Sequence, residues 1–309
     1  MSCHFRLNHS VAAVLLGCVC LAGCQKGPSN TKAFAPETRD VVATTFYPTA
    51  WMAEQILGDL VHVECPLPQG EDPSSWQPRS AAIESYQSAK LIVTNGAGFE
   101  KWVGTVTLPG SRVVGTTGSL PEPFIQYENA VVHQHGPGGE HSHEGTDGHT
   151  WLDPTIAKHQ AKQIADAASH AWPQHADAIS ANLKSLQQRL DSLDKRFSEI
   201  APKLDGVRLL CSHPAYNYIA RRYGWKIQNF DLDPERPIAD EQLAAWSTDQ
   251  SQQKTVMLWE SEPIATAQSQ LIDAGVTEVV FSPCEARPIT GDFLSVMNQN
   301  LDRLAAAVK

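Results

Sequence analysis

The sequence predicts an α/β protein with two similar lobes, each built on a mostly parallel sheet, joined by one long rigid helix. Short β-branched runs alternate with helical patterns in two groups, and one long amphipathic stretch separates the groups. Such alternation predicts parallel strands linked by crossover helices. The 309 residues suffice for two modest domains, and a composition of 42% apolar and 19% charged residues is typical of globular proteins.

The predicted strands are short runs rich in valine, isoleucine and leucine. They fall at 41–46, 60–65, 91–96 and 112–117, and then at 208–212, 226–232, 255–260 and 278–282. We therefore predict an N-terminal lobe over 38–172 and a C-terminal lobe over 202–309.

The connecting helix is predicted from apolar residues that recur at steps of four and three between Ile179 and Ile200. Pro173 suits a first helical turn and Pro202 ends the helix, so the element covers 173–201. At the α-helical rise, the apolar stretch is a rod of roughly 33 Å. An isolated coiled coil has the same periodicity, but three heptads between two lobes favour a single connecting helix.

The N-terminus has the layout of a secretory signal peptide over residues 1–23. Arg6 precedes the apolar run 11–21, which is too short to span a bilayer as a stable helix. The run ends in LAGC, which resembles the bacterial lipoprotein box and predicts a lipid-modified Cys24 as the first mature residue. An ordinary cleaved signal is the alternative. Residues 24–37 are polar, contain two prolines and are typical of a flexible tether.

Charge and cysteine content narrow the class of protein. Lys and Arg number 24 and Asp and Glu number 34, which gives a net charge of −10 without a basic run. This balance argues against a nucleic-acid partner and weakly favours cationic ligands. Beyond Cys24 the chain has Cys65, Cys211 and Cys284, and this odd number permits at most one disulfide.

Five stretches occur in order along most of the chain. They are FYPTAWMAEQILGD (46–59), GEDPSSWQP (70–78), NGAGFEKWV (95–103), HTWLDP (149–154) and HPAYNYIARRYG (213–224). Together they resemble the zinc/manganese-type (cluster A-I) solute-binding proteins of bacterial ABC importers. The resemblance implies two α/β lobes joined by one rigid helix, with a divalent transition metal in the cleft between them.

The resemblance also implies two metal ligands, His149 at the start of HTWLDP and His213 after a strand of the second lobe. Two imidazoles are a plausible core for Zn²⁺ or a related ion. The family has a further His and an Asp where this sequence has Ser74 and Ser282. Either other residues hold the metal, or the affinity is lower.

Residues near strand ends are the replacement candidates, because parallel sheets bind ligands at the carboxyl ends of their strands. Glu260 closes a strand of the second lobe and is ranked first as a ligand. The alternative is that Glu260 orients one of the histidines. Four weaker candidates lie in the loops beside the lost ligands: Glu71, Asp72, Cys284 and Glu285.

Four more histidines precede His149 in the His-rich loop 133–149. They lie among glycines and a proline, whereas the Trp-Leu-Asp-Pro that follows His149 can fix its backbone, as a metal ligand requires. We therefore predict a mobile loop that attracts metal, with a solvated insertion as the alternative. These histidines are His133, His135, His141 and His143.

The expected function is metal capture outside the cytoplasmic membrane by a lipid-anchored monomer, which delivers the ion to an ABC permease and its ATPase. Zinc is the first expectation for the metal and manganese the next, and binding should weaken as the pH falls through about 6.5. A periplasmic metal buffer or sensor is one alternative. A metallohydrolase is another, since two histidines and a carboxylate can activate water. No HExxH, GxSxG or phosphate loop supports an enzyme.

Overall fold

The computed structural model describes residues 40–127, 131–134, 140–143, 145–247 and 253–309. The predicted signal peptide (1–23), Cys24 and the tether (24–37) lie outside these residues. Within the described ranges, no helix combines the length and the apolarity needed to cross a membrane.

The first sheet contains four parallel strands in the order β2-β1-β3-β4. The strands are β1 (Val41–Thr44), β2 (His62–Glu64), β3 (Leu91–Thr94) and β4 (Val113–Gly115). Helices α1 (Tyr47–Leu57) and α2 (Ser80–Ser88) connect the first three of them. All four residues of β3 are buried, which explains why its sequence is a continuous apolar run rather than an alternating one.

The second sheet is also parallel, in the order β10-β9-β7-β8. Its strands are β7 (Arg208–Cys211), β8 (Ile227–Asn229), β9 (Thr255–Trp259) and β10 (Val276–Val280). The accompanying helices are α5 (Asn217–Tyr223), α6 (Asp240–Ser247), α7 (Ala265–Asp273) and α8 (Phe293–Ala307).

Both sheets share one topology. Counted along the chain within each sheet, the strand order is second, first, third, fourth. The predicted α/β class with two similar parallel sheets is therefore confirmed. In such sheets the order reverses between the first and third strands, and ligands bind outside the carboxyl ends at that switch point. In the second sheet, this point lies between β7 and β9.

Two consecutive helices lie between the sheets in sequence: α3 (Pro154–Ala171) and α4 (Ala176–Ile200). The predicted start at Pro173 belongs instead to a separate 3₁₀ turn, Pro173–His175, because Trp172 leaves the helical conformation (φ −134°, ψ 68°) and ends α3. The predicted apolar face of α4 is buried and packs against α3, α1 and α8. Other 3₁₀ turns are Gly58–Leu60, Lys101–Gly104, Gly110–Arg112, Thr150–Leu152 and Ala201–Leu204.

Part of the His-rich segment forms two short strands, and the mobile, metal-attracting loop remains a prediction. Strands β5 (Val131–Gln134) and β6 (Glu140–His143) pair antiparallel, with His133 opposite His141. The valines that begin β5 favour extended backbone, and the glycines and proline between the strands favour a turn. His135 lies outside the described residues.

Candidate metal site

A cavity of about 430 Å³ lies between loops of the two lobes. The segment 70–74 and His149 line it from the first lobe, and His213, Glu260 and Glu285 line it from the second. The structure thus brings both predicted histidines together with the first-ranked carboxylate. Both serines at the expected ligand positions, Ser74 and Ser282, also line this cavity.

Asp147 fixes the orientation of His149, which is only 2% exposed. One oxygen of Asp147, Oδ1, lies 2.8 Å from the ring Nδ1 and accepts the backbone N–H of His149 at 2.9 Å. The other oxygen accepts the side-chain amide of Asn217 at 2.9 Å. The Tyr127 hydroxyl lies 3.3 Å from the same Nδ1. Because Nδ1 faces these groups, Nε2 is the ring nitrogen left to meet a ligand.

The segment before His149 is held by Asn95, which directly follows β3. The side-chain amide of Asn95 donates to the carbonyl of Gly148 at 2.9 Å, and its Oδ1 accepts the Thr150 hydroxyl at 3.1 Å. The backbone N–H of Asn95 in turn donates to the buried carboxyl of Glu100 at 2.6 Å. The backbone on both sides of His149 is therefore tied to the end of a core strand.

Gly148 is required by the close approach of Phe99. A Cβ at this position would lie 2.8 Å from the Cβ and Cδ2 atoms of Phe99, closer than packed carbon atoms can approach. Any larger residue at 148 would push the following His149 away from its present place.

Trp151 packs against the ring of His149, with ring centroids 5.3 Å apart and the planes at 47°. Its indole also packs against Phe46 at 4.9 Å and Phe99 at 5.0 Å. The indole N–H donates to the carbonyl of Pro283 in the second lobe at 2.9 Å. This one side chain therefore connects the histidine, the first-lobe core and the opposite loop.

The rest of HTWLDP starts a helix. Thr150–Leu152 form a 3₁₀ turn, and Asp153 caps α3 by accepting the backbone N–H of Thr155 at 2.7 Å. Pro154 occupies the first turn, where its missing N–H costs no hydrogen bond. The motif thus fixes His149 through the helix that follows it.

The second lobe places His213 and Glu260 after the neighbouring strands β7 and β9. His213 is 4% exposed, and its ring centroid lies 5.4 Å from that of His149 with the planes at 84°. The Nδ1 atom of His213 lies 3.5 Å from Oε2 of Glu260. Both groups therefore lie at the switch point of the second sheet.

The loop after β10 brings Glu285 to His149, with Oε1 3.2 Å from the ring Nε2. This loop turns because Cys284 adopts a left-handed backbone with φ of 60° and donates its N–H to the Ser282 hydroxyl at 3.2 Å. The Tyr47 backbone N–H donates to the Glu285 carbonyl at 3.3 Å. The loop therefore belongs to the second lobe but is attached to α1 of the first.

The weaker candidates are placed differently from one another. Glu71 and Asp72 line the cavity, but both oxygens of Asp72 accept hydrogen bonds within its own loop, from the Ser74 N–H at 2.7 Å and the Ser75 hydroxyl at 3.1 Å. Cys284 is buried beside the cavity, and burial raises the pKa of its thiol to about 12, which disfavours the metal-binding thiolate. The free thiols of the described residues are Cys65, Cys211 and Cys284.

Two buried groups of the site have shifted pKa values. Burial lowers the pKa of His149, but hydrogen bonds with Asp147 and Glu285 outweigh this effect and raise it to about 10. Burial raises the pKa of Glu260 to about 8, and the charge of Glu285 adds to this shift. Both shifts favour the protonated forms of His149 and Glu260 in the metal-free site. In the described part of the chain, no three His, Cys, Asp or Glu side chains already stand in an arrangement that would hold a metal ion.

The family described as zinc-uptake complex component A, periplasmic (ZnuA), matches residues 42–307. The chain belongs to this family. It is 28% identical over 275 residues to the zinc-binding lipoprotein AdcA of Streptococcus pneumoniae (strain ATCC BAA-255 / R6), covering 85% of this chain and 54% of AdcA. It therefore spans about half the length of that relative. It is 28% identical over 315 residues to the high-affinity zinc uptake system protein ZnuA of Bacillus subtilis (strain 168), covering 94% of this chain and 95% of that protein.

Solved structures of the ZnuA family share the fold. The Zn(II)-bound ZnuA-like domain of Streptococcus pneumoniae AdcA has a TM-score of 0.74 at 25% identity, covering 87% of this chain and 99% of that domain. The resemblance inferred from the sequence motifs is thus confirmed.

Sequence reasoning missed the residues that orient the site within this family fold. Asp147 precedes His149 by two positions, and an acidic residue so close to a predicted ligand is a signal that could have identified it. Tyr127 contacts His149, which lies 22 residues further along the chain. Asn217 contacts Asp147, which lies 70 residues earlier. Nothing in their local sequence predicts those contacts.

Proposed function

We propose that this protein is the extracytoplasmic zinc-binding component of an ABC importer, which captures zinc between its lobes and delivers it to a permease. The observation that carries the proposal is the meeting of two buried imidazoles from different lobes, His149 and His213, at one cavity. Family membership supports a role in uptake, and the descriptions of the AdcA and ZnuA relatives support zinc rather than manganese. These relatives also favour binding and transport over catalysis.

We assign His149, His213 and Glu285 as the zinc ligands. Two ligands of a tetrahedral zinc with bonds of about 2.1 Å stand about 3.4 Å apart. The 3.2 Å between Nε2 of His149 and Oε1 of Glu285 is close to this separation, so zinc can replace the proton between them with little movement. Glu260 faces Nδ1 of His213 as Asp147 faces Nδ1 of His149, which supports the orienting role for Glu260. The distances therefore favour Glu285 as the ligand over Glu260, which the sequence ranked first.

We also propose how the protein is attached and how it acts. Cys24 carries the lipid that holds a monomer at the outer face of a bacterial membrane, as LAGC and the lipoprotein description of AdcA suggest. Mass spectrometry of membrane-extracted protein would detect lipidated Cys24 as the first residue, and an unmodified Cys24 would contradict the anchor. The partners are an ABC permease and its ATPase. The remaining histidines of the predicted His-rich loop attract zinc without forming the principal site: His133, His135, His141 and His143.

Calorimetric titration of the metal-stripped protein with zinc tests the site. We expect one tight equivalent in the wild type, and a loss of affinity of at least about 100-fold in His149→Ala and in His213→Ala, above the usual cost of losing an outer partner. His170→Ala is the matched control, because His170 is exposed on α3 away from the cavity. Wild-type affinity in both cavity variants would exclude this site.

Growth under zinc limitation tests the transport role. Deletion of the gene should reduce zinc uptake, and the wild-type gene but not the His149→Ala gene should restore it. A strain in which deletion leaves uptake unchanged, while the purified protein binds zinc, would indicate a periplasmic buffer or sensor instead.

A further inference from the structure

The loop that carries Glu285 leaves the end of β10, and helix α8 holds its first residue. Asn300 of α8 is completely buried, with 0% of its surface exposed. Its side-chain amide donates to the Ser282 carbonyl at 2.8 Å, and its Oδ1 accepts the Ser282 backbone N–H at 3.2 Å. One amide side chain thus pairs with both backbone groups of Ser282, as a residue of a neighbouring strand would.

Arg303, which follows Asn300 on α8, fixes the orientation of this amide. One guanidinium nitrogen donates to Oδ1 of Asn300 at 2.6 Å, and Nε donates to the Val280 carbonyl at 2.8 Å. The guanidinium and the Ser282 N–H can only donate, so both need the oxygen of the amide and not its nitrogen. Asn300 is therefore held in the one orientation that serves Ser282.

The following residues of the loop are attached to the first lobe. The Pro283 carbonyl accepts the Trp151 indole N–H at 2.9 Å, and the Glu285 carbonyl accepts the Tyr47 backbone N–H at 3.3 Å. Ser282 precedes Glu285 by only three positions. Because the loop is this short and is attached at both ends, a displacement of Ser282 must also displace the residues that follow it.

The turn at Cys284 passes such a displacement on to Glu285. Cys284 has a φ of 60°, a left-handed backbone that is unfavourable for a residue with a Cβ and that surrounding contacts must hold. Its N–H donates to the Ser282 hydroxyl at 3.2 Å, which is one of those contacts. The position of Ser282 therefore affects the turn that brings Oε1 of Glu285 to within 3.2 Å of Nε2 of His149.

We propose that Asn300 is the positioning residue of Glu285. It fixes Ser282 and, through the turn at Cys284, sets the separation of the two ligand atoms that zinc joins. Asn95 supports the comparison, because it too is completely buried and bonds to the backbone beside His149. The inference rests on the proposed function and on Glu285 as a zinc ligand, and it gives α8 a part in zinc affinity.

Zinc titration of Asn300→Leu, made both in the wild type and in Glu285→Gln, tests the proposal. Leucine has the branched shape of asparagine but forms no hydrogen bonds. We expect zinc affinity to fall at least about tenfold in the wild-type background, the lower end of the usual cost of losing an outer partner. In the Glu285→Gln background it should not fall further, because two residues that act through one contact are not additive.

The visible absorption of Co²⁺ bound in place of zinc gives a second measurement, because it depends on the number and geometry of the ligands. The spectrum of Asn300→Leu should change toward that of Glu285→Gln. Asn298→Leu is the matched control, since it makes the same substitution on the same helix. Asn298 bonds to Arg196 of α4 and not to the loop of Glu285, so this variant should keep the wild-type affinity and spectrum.

Asn300→Asp keeps the proposal testable if Asn300→Leu does not fold. It preserves the size of the side chain and the oxygen that the Ser282 N–H and Arg303 use, but it has no donor for the Ser282 carbonyl. With one hydrogen bond lost, zinc affinity should fall at least about threefold, again only while Glu285 is present.

The contrary results separate this inference from the proposed function. Wild-type zinc affinity in both Asn300 variants would overturn the role of Asn300 and leave zinc binding intact. An equal loss with and without Glu285 would also overturn it, because the effect would then not act through Glu285. Wild-type affinity in Glu285→Gln would remove Glu285 as a ligand and the inference with it. Absence of zinc binding by the wild type would instead overturn the proposed function.

Discussion

The two histidines that face the cavity are held in different ways. His149 has its Nδ1 2.8 Å from Asp147, its backbone tied to the same carboxylate, and its ring packed on Trp151. His213 follows β7 after Ser212, and its Nδ1 lies 3.5 Å from Oε2 of Glu260, a longer contact. The Nδ1 contact of His149 is thus shorter than that of His213, and the ring of His149 also packs on Trp151.

We infer that the first lobe holds His149 in its metal-binding geometry before metal binds, and that His213 of the second lobe moves to complete the coordination. A ligand held in one geometry loses little entropy on binding, whereas an adjustable one can complete the coordination. The Glu285 loop supports this view, because it belongs to the second lobe yet bonds to α1 of the first. Substitutions that remove the support of His149 should therefore lower zinc affinity, whereas matched substitutions away from His149 should not.

Among changes around His149 in the first lobe, removal of Trp151 should have the largest effect on stability. Trp151→Ala deletes a side chain that is 1% exposed and leaves the Pro283 carbonyl without its donor. We expect a loss of about 3–5 kcal/mol in the free energy of unfolding, measured by urea denaturation of the metal-free protein. Zinc affinity should fall as well, because the ring of His149 loses its support.

The matched control for this variant is Trp246→Ala in the second lobe. Trp246 is 4% exposed and belongs to a separate apolar cluster around Leu210 and Met257. It should lose stability on a similar scale but keep its zinc affinity. Equal losses of zinc affinity in both variants would mean that general destabilisation, and not support of His149, explains the result.

Asp147→Asn should give the next largest effect, because it removes the carboxylate that orients His149 while keeping the size of the side chain. Loss of such an outer partner typically costs about 10–100-fold in metal affinity. Calorimetric titration with zinc should show that loss, and urea denaturation should show a loss of stability smaller than that of Trp151→Ala, because Asp147 is buried and accepts hydrogen bonds from His149 and Asn217. Asp166→Asn, on the exposed face of α3, is the control. If Asp147→Asn binds zinc as the wild type does, the ring of His149 is oriented by its packing alone.

The fold could be predicted from the sequence far better than the residues that orient the histidines of the site. All eight predicted strands occur. The central strands β1, β3, β7 and β9 are almost entirely buried, and such strands are continuous apolar runs that stand out in the sequence. His149 and His213 were found because both lie in motifs, and Glu260 because it ends a strand. Asp147 contacts His149 only two residues away, so its orienting role could have been predicted from the sequence. Asn217 lies in the second lobe and contacts Asp147 of the first, so this contact could not be predicted. The position of Glu285 beside His149 depends on the left-handed backbone of Cys284. A glycine would have signalled such a conformation in the sequence, but the residue is a cysteine.

The pH dependence has the smallest expected effect per step, about tenfold per pH unit, and it compares the protonation of His149 with that of Glu260. The unperturbed imidazole predicts weaker zinc binding only below about 6.5. Short contacts with Asp147 and Glu285 raise the pKa of His149 to about 10, and burial raises that of Glu260 to about 8. Stability that His149 gains from these contacts is present below pH 6.5 and is lost as the pH rises through about 10. The cost of burying the charged form of Glu260 appears above the usual pKa of 4.5 and is complete above the raised pKa of about 8.

Both shifts make the metal-free protein less stable as the pH rises from about 5 to 10, while zinc binding becomes stronger because fewer protons must be displaced. We therefore expect zinc affinity to rise by about tenfold per pH unit between pH 6 and 8.5, since at least the His149 proton must leave. The rise in Tm on adding zinc should grow over the same range. Calorimetry and thermal unfolding at a series of pH values measure both quantities.

In Asp147→Asn the increase in zinc affinity should end at a lower pH, because one of the two groups that hold the proton on His149 has gone. A wild-type affinity that levels off above pH 6.5 would show that His149 is not held by those carboxylates in solution, and the contrast between the two histidines would disappear.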